Sequence, residues 1–358
     1  MSGARFERFF VGILLPCMLP AQEGLRPVIG GLPFDSGFAL GLEYRKSRLA
    51  GSPVDVRIKG IGSVKKYEYL EAALAMPRLA QGWLFAEVGA RYRNYTEEDF
   101  WGLGQKSPRH RRTTFRMEDI GYSGSFGIRP KRWLEAGLSG GWLATNAGRG
   151  KDRDWPSIEE LFTSAEVPAL DEQPDYLHLG AFLRVDRRDQ DSDPRAGGFY
   201  QFRYTGFHAQ DLIRFSFQRY EFDLRHFIPV FQRRDTVALR AVTMFTAKQA
   251  NRQTPFFLQP TVGGGGDLRG YLQYRFRDEN ASVLNAEYRW RVKEFLQIVA
   301  FADAARVFSR PGRFGIAGLR GSAGAGVRFK LGESILLGVD LGWSPDGPRP
   351  WLRGAHTF

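Results

Sequence analysis

Hydrophobic and polar residues alternate along most of this chain with a period of two. Between residues 283 and 292, Leu284, Tyr288 and Trp290 are separated by polar residues that include Glu287 and Arg289. Successive side chains of a β-strand point to opposite faces, so this pattern predicts a strand with one apolar face and one wet face. Segments with the same alternation begin near Phe38, Leu84, Leu134, Ala181, Tyr200, Arg219, Val237 and Ile335.

The connections between these segments alternate between short and long. Membrane-spanning antiparallel barrels have short turns at one end and longer loops at the other. The sequence therefore predicts an all-β fold, a transmembrane antiparallel β-barrel of about sixteen strands. Tight turns are predicted at residues 76–82, 129–132, 191–197 and 331–333, and long loops at residues 95–112, 146–174 (with a short helix at 157–162) and 250–279.

The overall composition is compatible with a membrane barrel. The mean hydropathy is only −0.34, which a barrel tolerates because every second residue of each strand avoids lipid. Tryptophans near strand ends are typical of the aromatic girdles at the two membrane surfaces. A soluble β-sandwich with exposed aromatic residues remains the alternative. The tryptophans assigned to girdles are Trp83, Trp101, Trp133, Trp142, Trp290, Trp343 and Trp351.

The first residues have the features of a secretory signal. Arg5 and Arg8 precede a short apolar run over residues 9–19, and Ala21 offers a small residue before a cleavage point. Cys17, the only cysteine of the sequence, falls within this run, so we expect an exported chain without thiols. We predict a signal peptide at residues 1–21, a short N-terminal segment at residues 22–35 and an outer-membrane β-barrel at residues 36–358.

The chain is basic, with a formal net charge of +12 from 51 basic and 39 acidic residues. The basic residues are spread through the alternating segments, which favours a cationic lumen or a rim facing anionic headgroups over nucleic-acid binding. The basic cluster at residues 109–112 is interpreted as a solvated loop edge, with binding of lipid or saccharide phosphates as the alternative. No metal-ligand spacing or phosphate-binding motif occurs, so we expect no metal and no cofactor.

The densest functional motif lies in the last long loop, where four glycines at residues 263–266 precede a charged segment. Glycine removes side-chain bulk and allows a sharp fold of the backbone. Arginine offers a planar fork of donors that can hold a carboxylate in a narrow space. A flexible, solvated loop is the simpler interpretation. The motif residues are Gly266, Leu268, Arg269, Gly270 and Tyr271.

Four segments, in order, resemble the BamA/TamA family of outer-membrane proteins. The loop motif is similar to the family's Val/Leu-Arg-Gly-Phe/Tyr sequence. Phe301 and Asp303 resemble its Phe-x-Asp-x-Gly strand, with alanine where the family has its last glycine, and Gly326 and Arg328 resemble its Gly-x-Gly-hydrophobic-Arg strand. Residues 186–198 resemble an Asp-x-Arg-Asp…Pro…Gly hairpin. Phe358 resembles the terminal aromatic residue that serves such barrels as an assembly signal.

The resemblance implies a specific geometry for the motif. In the family this loop folds back into the lumen, and its arginine contacts the wall strands that carry the other two motifs. Carried over, Arg269 lies near Asp303, with Arg328 on the adjacent wall. An arginine in a confined lumen needs a carboxylate, because an unpaired buried charge is costly.

The resemblance also implies a function and a location. It predicts a non-enzymatic barrel in the outer membrane of a Gram-negative-type bacterium, acting in protein insertion or translocation. Its partners would be outer-membrane lipid, and unfolded barrel proteins or a separate periplasmic chain. Family members carry periplasmic POTRA domains before the barrel, and residues 22–35 are too few for one, so we expect a barrel without that arm.

Two alternative functions remain open from the residues alone. One is a passive pore or surface-anchored barrel that has the fold without insertase activity. The other is a barrel lipid hydrolase, because His178, His208 and His226 fall on predicted strands and could meet in space.

Overall fold

A computed structural model describes residues 23–231, 234–331, 334–354, 356 and 358. The described residues form β-strands, one α-helical turn, and short and long connections between them. The elements have the following bounds. The strands are β1 (Gly24–Ile29), β2 (Ala39–Lys46), β3 (Asp55–Ser63), β4 (Glu68–Leu79), β5 (Leu84–Phe100), β6 (Thr113–Lys131), β7 (Leu134–Arg149), β8 (Tyr176–Asp186), β9 (Gly197–Ala209), β10 (Phe217–Val230), β11 (Asp235–Ala247), β12 (Thr261–Val262), β13 (Phe276–Arg277), β14 (Asn280–Lys293), β15 (Leu296–Phe308), β16 (Arg320–Leu331), β17 (Ser334–Ser344) and β18 (Gly347–Arg353), and helix α1 spans Ile158–Leu161.

Sixteen of these strands form one antiparallel sheet in chain order, from β1 at one edge to β18 at the other. The hairpin of β12 and β13 is separate and lies within the long connection between β11 and β14. Among the described residues, β1 and β18 form no ladder with each other. The prediction of an all-β barrel of about sixteen antiparallel strands is confirmed.

The two faces of the sheet follow the alternation in the sequence. On β14, Leu284, Tyr288 and Trp290 are 37–44 % exposed on the outer face, whereas Glu287 and Arg289 are 1 % exposed on the inner face. The same division holds on β17, where Leu337 to Trp343 alternate between exposed apolar and buried positions. An apolar outer face and a charged inner face are what a barrel in lipid requires.

The long connections close one end of the barrel. Helix α1 and residues 256–258 pack on side chains of β5, β6 and β8 to form an apolar cluster over this mouth. Phe100 and Phe162 are 5.0 Å apart between ring centroids, and Phe115 and Phe256 are 4.8 Å apart. The short helix matches the one predicted at residues 157–162. We call this assembly of loops the roof.

The structure differs from the sequence-based expectations near both termini. The sheet begins at Gly24, within the stretch predicted to be a short segment before the barrel, because residues 24–29 pair with residues 40–45 of β2. The last strand ends at Arg353, and Gly354, His356 and Phe358 lie outside the ladder. The predicted signal peptide at residues 1–21 lies outside the described residues.

The prediction of a girdle position is wrong for two of the tryptophans. Trp101 is 2 % exposed and lies under Arg112 and Arg275 of the long connections, whereas Trp351 is 5 % exposed on the inner face of β18. Trp83, Trp142, Trp290 and Trp343 are 37–62 % exposed on the outside, as a girdle requires.

No helix in the described part of the chain is long and apolar enough to cross a membrane.

Candidate functional site

The glycine-rich segment enters the lumen as a compact turn. Gly263 and Gly264 have φ values of +121° and +110°, which side chains with a Cβ rarely adopt. Asp267 closes the turn by accepting a hydrogen bond from the N–H of Gly263 at 3.0 Å. Leu268 is fully buried in an apolar cluster that includes Val242 of β11. The segment is therefore anchored by packing on both sides of Arg269.

Arg269 holds Asp303 of β15 with both arms of its guanidinium group. Nε donates to Oδ2 at 2.8 Å and Nη2 donates to Oδ1 at 2.6 Å. The backbone N–H of Arg269 donates to the same carboxylate at 3.2 Å. Such a bidentate pair is stronger and more directional than a single ionic hydrogen bond. This is the contact that the resemblance implied.

Two further carboxylates lie within reach of the same guanidinium. Its Nη1 donates to Glu287 of β14 at 2.5 Å and lies 3.4 Å from Asp340 of β17. The guanidinium carbon lies 3.4 Å from the centroid of the Phe301 ring, a cation–π contact on its remaining face. The side chains of Arg269, Glu287 and Asp340 have no solvent exposure. One arginine therefore bridges three strands in a dry part of the lumen.

Close packing explains the small residues around Arg269. A Cβ at Gly270 would lie 2.6 Å from the Cβ atoms of Ser322 and Ser344, and a Cβ at Gly342 would lie 2.3 Å from the carbonyl oxygen of Arg269. That carbonyl accepts a hydrogen bond from Nε1 of Trp351 at 2.7 Å. The loop backbone therefore lies directly on β16, β17 and β18.

The other predicted motif residues belong to the same site. A Cβ at Gly326 would lie 2.0 Å from Oδ1 of Asp340, so glycine leaves the room that this carboxylate needs. Arg328 is fully buried and donates to Glu287 at 3.1 Å. Tyr271 is 2 % exposed, and its ring centroid lies 5.5 Å from that of Phe276. The carbonyl of Gly266 accepts a hydrogen bond from Arg240 at 3.2 Å.

Residues beyond the predicted set complete a network of alternating charge. Arg289 donates to Glu287 at 2.8 Å, and Arg353 donates to Asp340. We call Arg269, Glu287, Arg289, Asp303, Arg328, Asp340 and Arg353 the lumen network. Glu287, Asp340 and Trp351 were not predicted as site residues. The signal was present, because Glu287 and Asp340 lie on the polar face of the alternation and Trp351 shares a face with Arg349 and Arg353.

A second charged cluster closes the opposite end of the lumen, where the connections are short. Asp193, in the turn between β8 and β9, accepts hydrogen bonds from Nε2 of His356 at 2.8 Å and from Lys330 of β16. Arg291 of β14 lies 3.6 Å from the same carboxylate. Asp193, Lys330 and His356 are at most 6 % exposed. The turn therefore reaches from β8 and β9 to strands that lie far along the sheet.

The environment of this cluster shifts the pKa values of its two groups that lie outside the strands. Burial lowers the pKa of His356 to about 3, assisted by the charges of Arg289 and Arg328. Burial alone would raise the pKa of the Asp193 carboxyl, but the hydrogen bond from His356 and the charge of Lys330 hold it well below its usual range. The partners assign the neutral imidazole: Nδ1 faces an Arg328 donor and Nε2 donates to Asp193.

Phe358, the predicted assembly signal, lies inside the barrel. It is 6 % exposed and packs against Phe227 and Ala238 on the inner faces of β10 and β11. Arg289 donates to its carbonyl oxygen at 2.9 Å. Its role in assembly stays a prediction.

The basic cluster at residues 109–112 is a structural part of the roof rather than only a solvated edge. Arg112 holds Asp99 with two hydrogen bonds of 2.9 and 3.0 Å, and Arg111 donates to Glu166 at 3.3 Å. Arg111 also lies 4.1 Å from the centroid of the Phe162 ring. Glu166 is therefore an ion-pair partner of this cluster.

The three strand histidines do not meet. His178 lies on the inner face of β8 and is 6 % exposed, whereas His208 and His226 lie on the outer face. Nδ1 of His226 is 2.7 Å from the hydroxyl oxygen of Tyr200. The geometry therefore offers no shared histidine site for the hydrolase hypothesis. Among the described residues, no group of His, Cys, Asp and Glu side chains could hold a metal ion.

A family model described as the Omp85 superfamily domain matches residues 76–349. The match covers most of the sheet, the glycine-rich loop and all three carboxylates that Arg269 contacts. The chain belongs to the Omp85 superfamily. It is accordingly a barrel of the Gram-negative outer membrane.

Solved Omp85 structures have the same fold. BamA from Haemophilus ducreyi lacking POTRA domains 1–3 superposes with a TM-score of 0.63 at 12 % identity, covering 88 % of this chain and 64 % of that one. CdiB from Escherichia coli superposes with a TM-score of 0.62 at 14 % identity, covering 94 % and 62 % of the two chains. CdiB from Acinetobacter baumannii gives 0.54 at 11 % identity, covering 88 % and 55 %.

The chain spans between about half and two thirds of the length of these Omp85 structures. At this level of identity, the likeness concerns the fold alone. No curated protein matched the sequence.

Proposed function

We propose that this barrel inserts or translocates polypeptides at the outer membrane by opening between β1 and β18. The observation that carries the proposal is that these two edge strands form no ladder with each other in the described residues. Unpaired backbone N–H and C=O groups at a sheet edge are a template for another extended chain. We call this boundary the seam.

The composition of the edge strands supports a weak seam. β1 has six residues and β18 has seven, whereas β5 and β6 have 17 and 19. Pro27 lies in β1, and Pro348 and Pro350 lie in β18. Proline has no N–H group to donate to a ladder and within sheets is largely confined to edges. Separating β1 from β18 therefore costs less than separating any pair of long strands.

The lumen network supports an opening in which the strands on the β1 side of the seam move and those on the β18 side stay in place. Arg269 contacts carboxylates on β14, β15 and β17, and its carbonyl accepts a hydrogen bond from Trp351 on β18. These strands are therefore braced against the loop as one wall. On the other side of the seam, Phe34 contacts the same Trp351, with ring centroids 4.9 Å apart. Movement of β1 and its neighbours can break this contact without disturbing Arg269.

We propose, more specifically, a non-enzymatic factor of the BamA/TamA type whose clients are unfolded barrel proteins. An incoming strand would pair with the free edge of β18 or β1, and the membrane would exclude water from the new ladder. A separate periplasmic chain would deliver the client.

The test uses a reversible lock across the seam. Phe34→Cys and Trp351→Cys are introduced with Cys17→Ser and joined by a cleavable bismaleimide, because the two rings are in contact. The protein in liposomes is expected to accelerate folding of an added barrel protein several-fold over empty liposomes. The linked form is expected to lose this acceleration, and cleavage of the linker is expected to restore it.

The same variant before linking and after cleavage is the matched control, since its substitutions are unchanged. Equal acceleration by the linked and cleaved forms would refute opening at the seam. Ion conductance without any acceleration of folding would instead indicate a passive pore. The roof and the glycine-rich loop, which fill both the mouth and the lumen, argue against that outcome.

A further inference from the structure

The connection between β15 and β16, residues 309–319, lies against the outside of the barrel. Arg306 is on the outer face of β15, between the inward-facing Ala305 and Val307. Its Nη1 donates to the carbonyl oxygen of Ala317 at 2.6 Å and to that of Gly315 at 3.2 Å. These carbonyls belong to the connection, so it turns back over the outer wall beside the strand that leads into it. We call residues 309–319 the outer loop.

Aromatic packing fixes the outer loop to this wall. Phe314 lies 5.5 Å from Phe245, an outward residue of β11, and 6.3 Å from Phe308, measured between ring centroids. Phe308 occupies an outward position on β15 but is only 3 % exposed, since the loop covers it. The roof differs, because its apolar residues pack over the mouth of the barrel.

The outer loop presents a bare apolar edge flanked by positive charge. Phe314 is 58 % exposed and Ile316 is 82 % exposed. Arg310 and Arg313 are exposed beside them, and residues 309–319 contain no acidic residue. Asp278, outside the outer loop, interacts electrostatically with Arg313. Apolar side chains next to basic ones are the composition of segments that lie in a membrane interface.

We propose that the outer loop anchors the barrel in the outer leaflet of the membrane. Phe314 and Ile316 enter the boundary of the acyl chains, and Arg310 and Arg313 bind phosphate groups of the lipid headgroups. Lipid is the occupant because the loop continues the apolar outer face of β11 and β15, which faces lipid already. The outer loop opposes movement of β15, a strand of the braced wall, and of the adjacent β16 along the membrane normal.

The first test measures the depth of the loop. Ile316→Cys and, as the control, the exposed roof position Ala165→Cys are made in a Cys17→Ser background and labelled with an environment-sensitive fluorophore. In phosphatidylcholine liposomes containing brominated acyl chains, the label at 316 is expected to be quenched several-fold more strongly than the label at 165. Equal quenching at both positions would overturn the proposal. Heat-modifiable migration on gels verifies that both variants are folded.

The second test separates lipid phosphate from free phosphate. Adding phosphatidylglycerol to the liposomes is expected to raise the thermal midpoint of the wild-type barrel, and the Arg310→Gln/Arg313→Gln variant is expected to lose most of that rise. Lys151→Gln/Arg153→Gln, in the roof, is the control and is expected to keep it. Inorganic phosphate is expected to have no such effect; an equal rise with inorganic phosphate would contradict a lipid site.

Discussion

At the scale of single residues, Arg269 is the side chain on which the lumen depends most. It is fully buried, and its positive charge compensates the carboxylates of Glu287, Asp303 and Asp340. Removing one partner of a buried ion pair costs about 3–5 kcal/mol, because the charge that remains is buried without compensation.

Arg269→Ala is therefore expected to lower the stability of the folded barrel by about 3–5 kcal/mol. The measurement is the temperature at which heat-modifiable migration is lost on gels, or the guanidinium midpoint in detergent. Arg269→Lys should be intermediate, because an ammonium group keeps the charge but not the bidentate contact with Asp303. Arg153→Ala, on the exposed roof, is the control; equal losses for the two alanine variants would show that the network contributes little.

The contact between Arg269 and Asp303 was predictable only through the resemblance of their motifs. The alternation by itself predicts the face of a residue, so it placed Glu287 and Asp340 inside but not beside Arg269. Trp351 was assigned to a girdle because tryptophan near a strand end suits either face. Trp351 shares a strand face with Arg353 and pairs with Asp340 on β17, and both of these residues point into the lumen. Its side chain therefore faces the lumen as well.

At the scale of elements, the strands and the positions of the connections were predictable, but the packing of the long connections was not. Alternation is a local property, and burial of one face enforces its register. The roof depends on contacts between distant segments, such as the hydrogen bond from Arg275 to Ser107 at 3.0 Å across 168 residues. The first strand was missed because the alternation in residues 24–29 is short and interrupted by Pro27.

The cluster of the β8–β9 turn and the C-terminal residues makes stability depend on pH. The pKa of His356 is lowered to about 3 in the folded protein, from about 6.5 when unfolded. Between these values the unfolded chain binds the extra proton, so stability falls as pH decreases below about 6.5. Asp193, whose pKa is depressed, keeps its stabilising charge throughout this window and loses it only under stronger acid.

Lowering the pH from 7 to 5 is therefore expected to cost the wild-type barrel up to about 2 kcal/mol through His356. Guanidinium unfolding at the two pH values measures this loss. His356→Gln should be less stable than wild type at pH 7 but should lose less on acidification. His110→Gln, in an exposed loop, should behave as wild type. A pH response unchanged by His356→Gln would assign the effect to other groups.

At the scale of the whole molecule, the strands of the sheet differ in length and in the number of neighbouring strands with which they pair. The long pairs such as β5 and β6 have neighbours on both sides, whereas β1 and β18 are each paired on one side among the described residues. Local opening should therefore begin at these edges. The sequence predicted the number of strands, but strand periodicity carries no information on whether the first and last strands pair.

Hydrogen exchange followed by mass spectrometry tests this inequality. In detergent, amides in peptides covering residues 24–29 and 347–353 are expected to exchange at least several-fold faster than those in residues 84–100 and 113–131. The long central strands serve as the internal control within one sample. Equal protection of both sets would mean that the seam is hydrogen-bonded in solution and would weaken the proposed route for clients.

The position of Arg269 along the chain sets an order of assembly. Its three carboxylate partners follow it by 18, 34 and 71 residues. None of these ion pairs can therefore form until later parts of the chain are present. Strands β1 to β11 can pair as hairpins beforehand, but the first carboxylate partner of Arg269 arrives with β14 and the last with β17. The last strands therefore complete the contacts of Arg269, and a chain interrupted before Glu287 would keep a loop without carboxylate partners that is sensitive to protease.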